Sequence, residues 1–526
     1  MSSSFAAASS SSPDLPTATS MTTFPDSDCR PAATDLGPSV WESTRTKTVK
    51  GFKWQTVNMI SRQGLSFLAG VALARILSPT DFGLVGISMM CCLWIGILGD
   101  AGIGATLIRE GEVTEERRAT AFWVSAGVGL FSACLLLLLS PAVSRFYGEP
   151  RLEHLLRLYA LGFVLGGFNV VPGALLRQAL DFRRVAAVEI SGTLTSGAVS
   201  VVLAVLGWGV VSLPVGSVVG LLMTIVIYRV MHLLRGGAFP SRDRIRSLGR
   251  FPLQASGARI AEIFRVSIDN ALVGRLLGAT ALGFYAFSYN LIAIPEYRFV
   301  GLLTQVTFPA LSRLKADIPT VRWAYLRITR YTSLVVLPVL TGLMLVADRL
   351  IPLIYGSKWI PAVPVLRVLC LAGIGCSLAV LTDAPLLALG RADWTWKLNT
   401  VWAALIAAGV GSVFALGWGL EAAAWVVSVA AFVQCAARHV LTSRISQAAF
   451  REALVAVFPA AAATALMAAG VLAARASTAW ASAGWGTVLG IIGAGGLIYT
   501  FIALLLLPEL RHVGQRLLVG KAAAAK

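Results

Sequence analysis

From Thr56 to Leu507 the chain repeats one pattern: an apolar stretch of about 20 residues, then a short polar break that carries most of the charge. A stretch of that length, wound as a helix, crosses a hydrocarbon core roughly 30 Å thick with every backbone group satisfied internally. The stretches fall at 56–74, 83–106, 119–140, 155–176, 185–207 and 209–229, then at 251–274, 281–306, 328–347, 361–389, 397–416 and 419–441, with a last pair at 453–475 and 484–507. The pattern predicts an all-α integral membrane protein with about fourteen transmembrane helices. Residues 1–46, rich in Ser, Ala, Thr and Pro and without an apolar run, read as a disordered tail and not as a signal peptide.

An even number of spans puts both termini on one side, and the basic residues say which. Of the 44 Lys and Arg, 31 fall in segments on the side of the termini and 7 in the opposite loops. Lys and Arg are retained on the cytoplasmic side, so both termini are expected in the cytoplasm of a plasma membrane. The net charge of +18 is therefore a topology signal and not a nucleic-acid surface, which needs a contiguous basic face that short loops do not offer. Composition agrees: 56% of residues are hydrophobic and 13% charged, against roughly 25% charged in soluble domains, which excludes a soluble enzyme or a fibrous protein. Six of the seven cysteines lie in apolar runs and form no CxxC pair, and the four histidines show no metal-ligand spacing, so no metal or other cofactor is expected.

The chain also repeats itself. Ala74–Ser88 aligns with Gly274–Ser288 at an offset of 200 without a gap, and Arg75/Arg275, Leu77/Leu277, Thr80/Thr280, Gly83/Gly283 and Ser88/Ser288 are identical. Tyr147-Gly148 matches Tyr355-Gly356 further on. Six spans per repeat leave both halves in the same orientation, a parallel repeat about an axis along the membrane normal with a cavity between the halves. The expected units are a tail at 1–46, six-helix halves at 47–240 and 241–445, and an extra two-helix unit with a cytoplasmic tail at 446–526.

Gly51-Phe-Lys-Trp54, Gln63, Phe67 and Leu73-Ala-Arg-Ile-Leu-Ser-Pro-Thr-Asp-Phe-Gly83 resemble the opening of bacterial Wzx-type polysaccharide exporters, in the branch similar to the colanic acid exporter. These belong to the multidrug/oligosaccharidyl-lipid/polysaccharide superfamily. The likeness runs on through Asp100-Ala-Gly102, Phe122-Trp123, Phe146-Tyr147, Asp181-Phe182 and Gly207-Trp-Gly209. It implies a flippase of the bacterial inner membrane that moves undecaprenyl-diphosphate-linked oligosaccharide units to the periplasmic leaflet by alternating access. It further implies coupling to H+ or Na+, contact with membrane lipids, and partnership with the polymerase and chain-length regulator of the pathway. Rival readings are a lipid II flippase, a cation-coupled drug exporter and, in a different class, a membrane polymerase or ligase. The last needs large extramembrane loops, and no nucleophile elbow, phosphate loop or zinc spacing is present.

Ionisable groups inside a membrane are costly and should face a cavity or a partner. Arg259, Glu262, Arg265 and Asp269 share a helix face roughly 120° wide in the seventh span, and Arg62 aligns with Glu262 through the repeat. Two readings stand. The arginines meet the substrate diphosphate, to which a guanidinium binds bidentately, or Arg259–Glu262 and Arg265–Asp269 neutralise each other along the helix. Glu296 and Arg298, after Pro295, are candidates for gating or the lumen, as is Asp100 near the end of the second span.

Overall fold

The structure, a computed structural model, describes residues 38–99, 103–104, 107, 114–234, 253–295, 318–388, 391–446, 449–476, 480 and 484–507; within these, the side chains of 38–50, 253–262, Arg265 and a few others are not described. Every regular element among them is helical. The elements are α1 (Pro38–Ile76), α2 (Pro79–Gly99), α3 (Glu115–Tyr147), α4 (Arg151–Gln178), α5 (Phe182–Val205), α6 (Ser212–Val230) and α7 (Leu253–Pro295). They continue as α8 (Ile318–Tyr355), α9 (Ala362–Val380), the short α10 (Asp383–Ala388), α11 (Ala392–Ala415), α12 (Leu420–Ile445), α13 (Phe450–Arg475) and α14 (Trp485–Leu506). The chain divides at Lys53/Trp54 into a short N-terminal unit and the bundle. Helix α1 already begins at Pro38, inside the stretch read as a tail; proline suits a first helical position, where its missing N–H costs nothing.

Among the described residues twelve helices are long and apolar enough to cross a membrane. Their outward faces carry Leu138, Val205, Leu497 and Phe501 at 65–75% exposure, a surface that suits lipid and not water. This is a multi-pass membrane protein. The described parts of the seventh and eighth expected spans, 253–274 and 281–295, lie within α7, which breaks at Gly278 (φ 85°, ψ 170°). Asp269 meets Tyr285, and a Cβ on Gly274 would touch Leu282, pairs that are nearly symmetric about the break. The two arms of α7 therefore run antiparallel.

Local chemistry explains the sharp turn between α1 and α2. The Ser78 backbone N–H donates to Asp81 Oδ2 (3.0 Å) while the Asp81 N–H donates to Ser78 Oγ (3.2 Å), a reciprocal cap of the first turn with Pro79 just inside it. Asp181 caps α5 by accepting from the Arg184 N–H at 3.1 Å, and Gly148 closes α3 in the left-handed region at φ 70°.

The bundle is held across its middle by α2 against α7 and by the turn after α8. Trp359, fully buried, stacks on Phe287 at 4.1 Å and donates its indole N–H to the Ala74 carbonyl at 2.9 Å. The last helix pair docks on α8 at both ends. Arg322 of α8 forms a two-pronged ion pair with Glu452 of α13, while Asp348 of α8 accepts from Arg475 at 3.2 Å and from the Trp480 indole at 3.1 Å.

Candidate functional site

The repeat turns out to be a contact. Thr80 Oγ1 and Thr280 Oγ1 lie 2.8 Å apart in a hydrogen bond. One turn further on, Gly83 faces the Ala279 carbonyl and Gly283 faces the Pro79 carbonyl, each so closely that an added Cβ would sit 1.8 Å from the oxygen. Since 79 and 279, and 83 and 283, are themselves equivalent positions, α2 and the second arm of α7 cross about a local two-fold axis with their backbones touching. The surrounding braces follow the same logic. Arg75 donates to the Leu353 and Ile354 carbonyls at the end of α8 (2.6 and 2.8 Å), and its counterpart Arg275 lies over the Phe146 ring at the end of α3 (5.1 Å). Lys358 returns from the other half to the Arg75 and Leu77 carbonyls. Burial pushes its ammonium below the usual lysine value, an effect that Asp81 partly opposes.

Beneath this crossing lies a cavity of about 670 Å3, walled by α1, α2 and both arms of α7, within the range of pockets that hold small organic ligands. Ala74, Phe82 and Tyr355 are its lining residues nearest the crossing along their helices, and Gln63, Leu93, Val266 and Ile294 the farthest. Seven pairs of lining positions stand 200 residues apart: Ser66/Val266, Phe67/Ser267, Gly70/Asn270, Gly86/Ala286, Met89/Tyr289, Met90/Asn290 and Leu93/Ala293. Among the described residues the lining carries no ionised side chain. The Ser267 hydroxyl is already engaged, accepting from the Trp94 indole at 2.7 Å and donating to the Ile263 carbonyl.

The expected charges are placed differently from the sequence reading where their side chains are described. Arg62, expected at the cleft, pairs instead with Glu189 of α5 (2.6 Å), which also holds Arg177 of α4 (2.7 Å) and accepts from Asn58 (2.8 Å). It is the neighbouring Gln63 that reaches the cavity wall. The reason is that α1 lies along α5: a Cβ on Gly197 would touch Ala69, and Leu73 and Leu77 pack on Ala204. Asp269 is fully buried and does not line the cavity; it accepts from the Tyr285 hydroxyl at 2.8 Å across the α7 hairpin. The side chains of Arg259, Glu262 and Arg265, and the whole of Asp100, Glu296 and Arg298, lie outside the described residues.

A second buried polar network occupies the other half. Arg438, 2% exposed, pairs with Asp383 and donates to the Asn399 amide oxygen, while His439 bonds the Tyr325 hydroxyl. Sequence reading gave these residues no role, because their partners stand on three other helices.

Comparison with known proteins fits this frame. Residues 72–364, more than half of the chain and including the crossing and most of the cavity wall, match the family described as polysaccharide biosynthesis protein. The chain belongs to that family. Its relatives include the lipopolysaccharide biosynthesis protein WzxC of Escherichia coli K12, 26% identical over 363 residues, or 68% of this chain and 73% of that protein. Another is the teichuronic acid biosynthesis protein TuaB of Bacillus subtilis, 28% identical over 477 residues, or 89% of this chain and 97% of its own length. Among solved structures the fold is similar to the lipid II flippase MurJ in its inward closed conformation. The TM-score is 0.69 at 13% identity, covering 87% of this chain and 99% of that one. The resemblance read from the ARILSPTDFG stretch is thus borne out, and its residues are those that cap α2 and let the halves touch.

Proposed function

We propose that this protein is a flippase that carries undecaprenyl-diphosphate-linked oligosaccharide units from the cytoplasmic to the periplasmic leaflet of a bacterial inner membrane, for the synthesis of a surface or secreted polysaccharide. The observation that carries the reading is a cavity between two repeat-related helix pairs, closed at one end by the Gly83–Gly283 crossing. A site that is sealed at one end and bounded by two similar halves can be exposed to either side by rocking one half against the other. Family membership and the relatives' names in lipopolysaccharide and teichuronic acid biosynthesis support the choice of cargo. With both termini in the cytoplasm, as the basic loops favour, the crossing lies at the periplasmic end and the described state is closed toward the periplasm. No chemical step is part of the proposal. Coupling to H+ or Na+ would drive the cycle, and the polymerase and chain-length regulator would receive the product.

A deletion strain tests it. The strain should lose one polysaccharide and accumulate its undecaprenyl-linked repeat units on the cytoplasmic side. Normal polymer yield, or general cell-wall lysis in place of polymer loss, would reject the assignment.

A further inference from the structure

The cavity is symmetric in backbone and asymmetric in chemistry. At three of its equivalent positions the first half offers nothing that can hydrogen-bond through a side chain, or only a thioether, where the second offers an amide or a phenol: Gly70 against Asn270, Met89 against Tyr289, Met90 against Asn290. Ser66 against Val266 runs the other way, and Gln63 adds an amide on the α1 wall, so the contrast belongs to the zone nearer the crossing. Asn290 is exposed to the cavity and has no hydrogen-bond partner among the described residues. An amide provides two donors and two acceptor sites. A methionine at the same place is soft, apolar and adaptable. Tyr289 is braced from behind. Its ring stacks on that of Tyr285 (6.1 Å, 27°), and Tyr285 is fixed by the buried Asp269 carboxylate.

Neutral donors and acceptors concentrated on one wall suit an uncharged, hydroxyl-rich ligand, because sugar hydroxyls are at once donors and acceptors, as amides are. A diphosphate would call for guanidinium or ammonium groups, which the described lining lacks. We propose that the α7 wall of the cavity, through Asn270, Tyr289 and Asn290, is the glycan-recognising surface, and that these three residues read the uncharged sugars of the cargo. The α1–α2 wall, with Met89 and Met90, supplies apolar surface for the carbon-bound faces of the same sugars. Asp269 acts here as a positioning residue, through Tyr285. This inference rests on the lipid-linked oligosaccharide reading given above.

The repeat itself supplies the test, since each half shows which residue the other tolerates at the equivalent place. Purified protein in lipid nanodiscs would be titrated calorimetrically with two probes: a short-chain polyprenyl diphosphate bearing an uncharged disaccharide, and the same polyprenyl diphosphate without sugar. Asn290→Met, at an exposed position that leaves the fold unstressed, and the double variant Tyr289→Met/Asn290→Met should weaken the sugar-bearing probe. For the double variant the loss should be about tenfold or more, the loss of roughly one or two hydrogen bonds. Binding of the sugar-free probe should stay within about twofold. Asn290→Gln, which keeps the amide, should lose less affinity for the sugar-bearing probe than Asn290→Met. Asp269→Asn should weaken the sugar-bearing probe alone, whereas a merely structural role would lower affinity for both. Equal weakening of both probes by Asn290→Met, or no weakening by the double variant, would overturn the assignment of the wall. Wild-type protein that binds neither probe would overturn the proposed function itself.

Discussion

Gly83 and Gly283 face each other's helix so closely that a Cβ on either would lie 1.8 Å from a carbonyl oxygen of the partner, Ala279 for the first and Pro79 for the second. No side chain can be seated there without moving a backbone, and both backbones belong to capped or tightly packed turns. Overpacking of this kind costs about 1–3 kcal/mol in ordinary cores. Here the strain has an outlet, because separating α2 from α7 relieves it and opens the cavity at this end. Gly83→Ala and Gly283→Ala should therefore both reduce polysaccharide export several-fold while membrane protein level stays near normal. A thiol probe placed at Thr80 in a cysteine-free background should label faster in either variant. Unchanged labelling with unchanged export would show that the crossing is not a closure point.

Thr80 and Thr280, one turn away, supply the reversible version of that experiment. Their hydroxyls stand 2.8 Å apart, so cysteines placed there would need little movement to bond. In a protein otherwise free of cysteine, Thr80→Cys/Thr280→Cys should cross-link under mild oxidation, and export should stop and return on reduction. Cross-linking without loss of export would mean that the two halves never part at this end during transport.

Much of this arrangement is legible in the sequence, and the parts that are not share a cause. Apolar runs of helical length are local signals, and so is the Ser78/Asp81 cap. The offset of 200 residues is visible in identities such as Thr80/Thr280, although a repeat alone does not require equivalent residues to touch. What stays hidden depends on which helices lie side by side. The partners of Glu189 become visible only once α1 is laid along α5, which brings it to Arg62 across 127 residues. Asp269 shares a helix face with Arg265 in the linear count, but only the reversal at Gly278 shows that it also accepts from Tyr285. The neutral cavity wall escapes notice because a search for charge passes over Asn270 and Asn290.

Glu189 holds two guanidiniums, those of Arg62 and Arg177, and both are about half exposed. Removing the shared carboxylate should hurt more than removing one arginine. Glu189→Gln is expected to lower stability by about 1–2 kcal/mol, less than a fully buried pair would lose because solvent screens the arginines. Arg62→Ala should cost less than half as much. Thermal unfolding in detergent, followed by the appearance of aggregated protein, measures both. The reverse order would place the main role of Arg62 outside this cluster.

The arginines of the first α7 arm carry the remaining question of phosphate contact. If Arg259 and Arg265 meet the diphosphate, changing either to Ala should cut export severely at normal protein level. Lys should restore only part, since it keeps the charge and loses the planar fork. If Arg259 only neutralises Glu262, the double change Arg259→Ala/Glu262→Ala should recover near-normal export, and that recovery would reject a substrate role for Arg259.

Translocation itself can be measured directly. Purified protein reconstituted into liposomes would be supplied with a fluorescent undecaprenyl-diphosphate oligosaccharide, and its movement between leaflets read by a quencher confined to the outside. Transbilayer movement should be much faster than in protein-free liposomes and should cease when Thr80→Cys/Thr280→Cys is oxidised. A rate equal to that of empty liposomes, with folded protein in the membrane and both an imposed H+ and an imposed Na+ gradient tried, would contradict the claim that this cavity carries lipid-linked sugars across the bilayer.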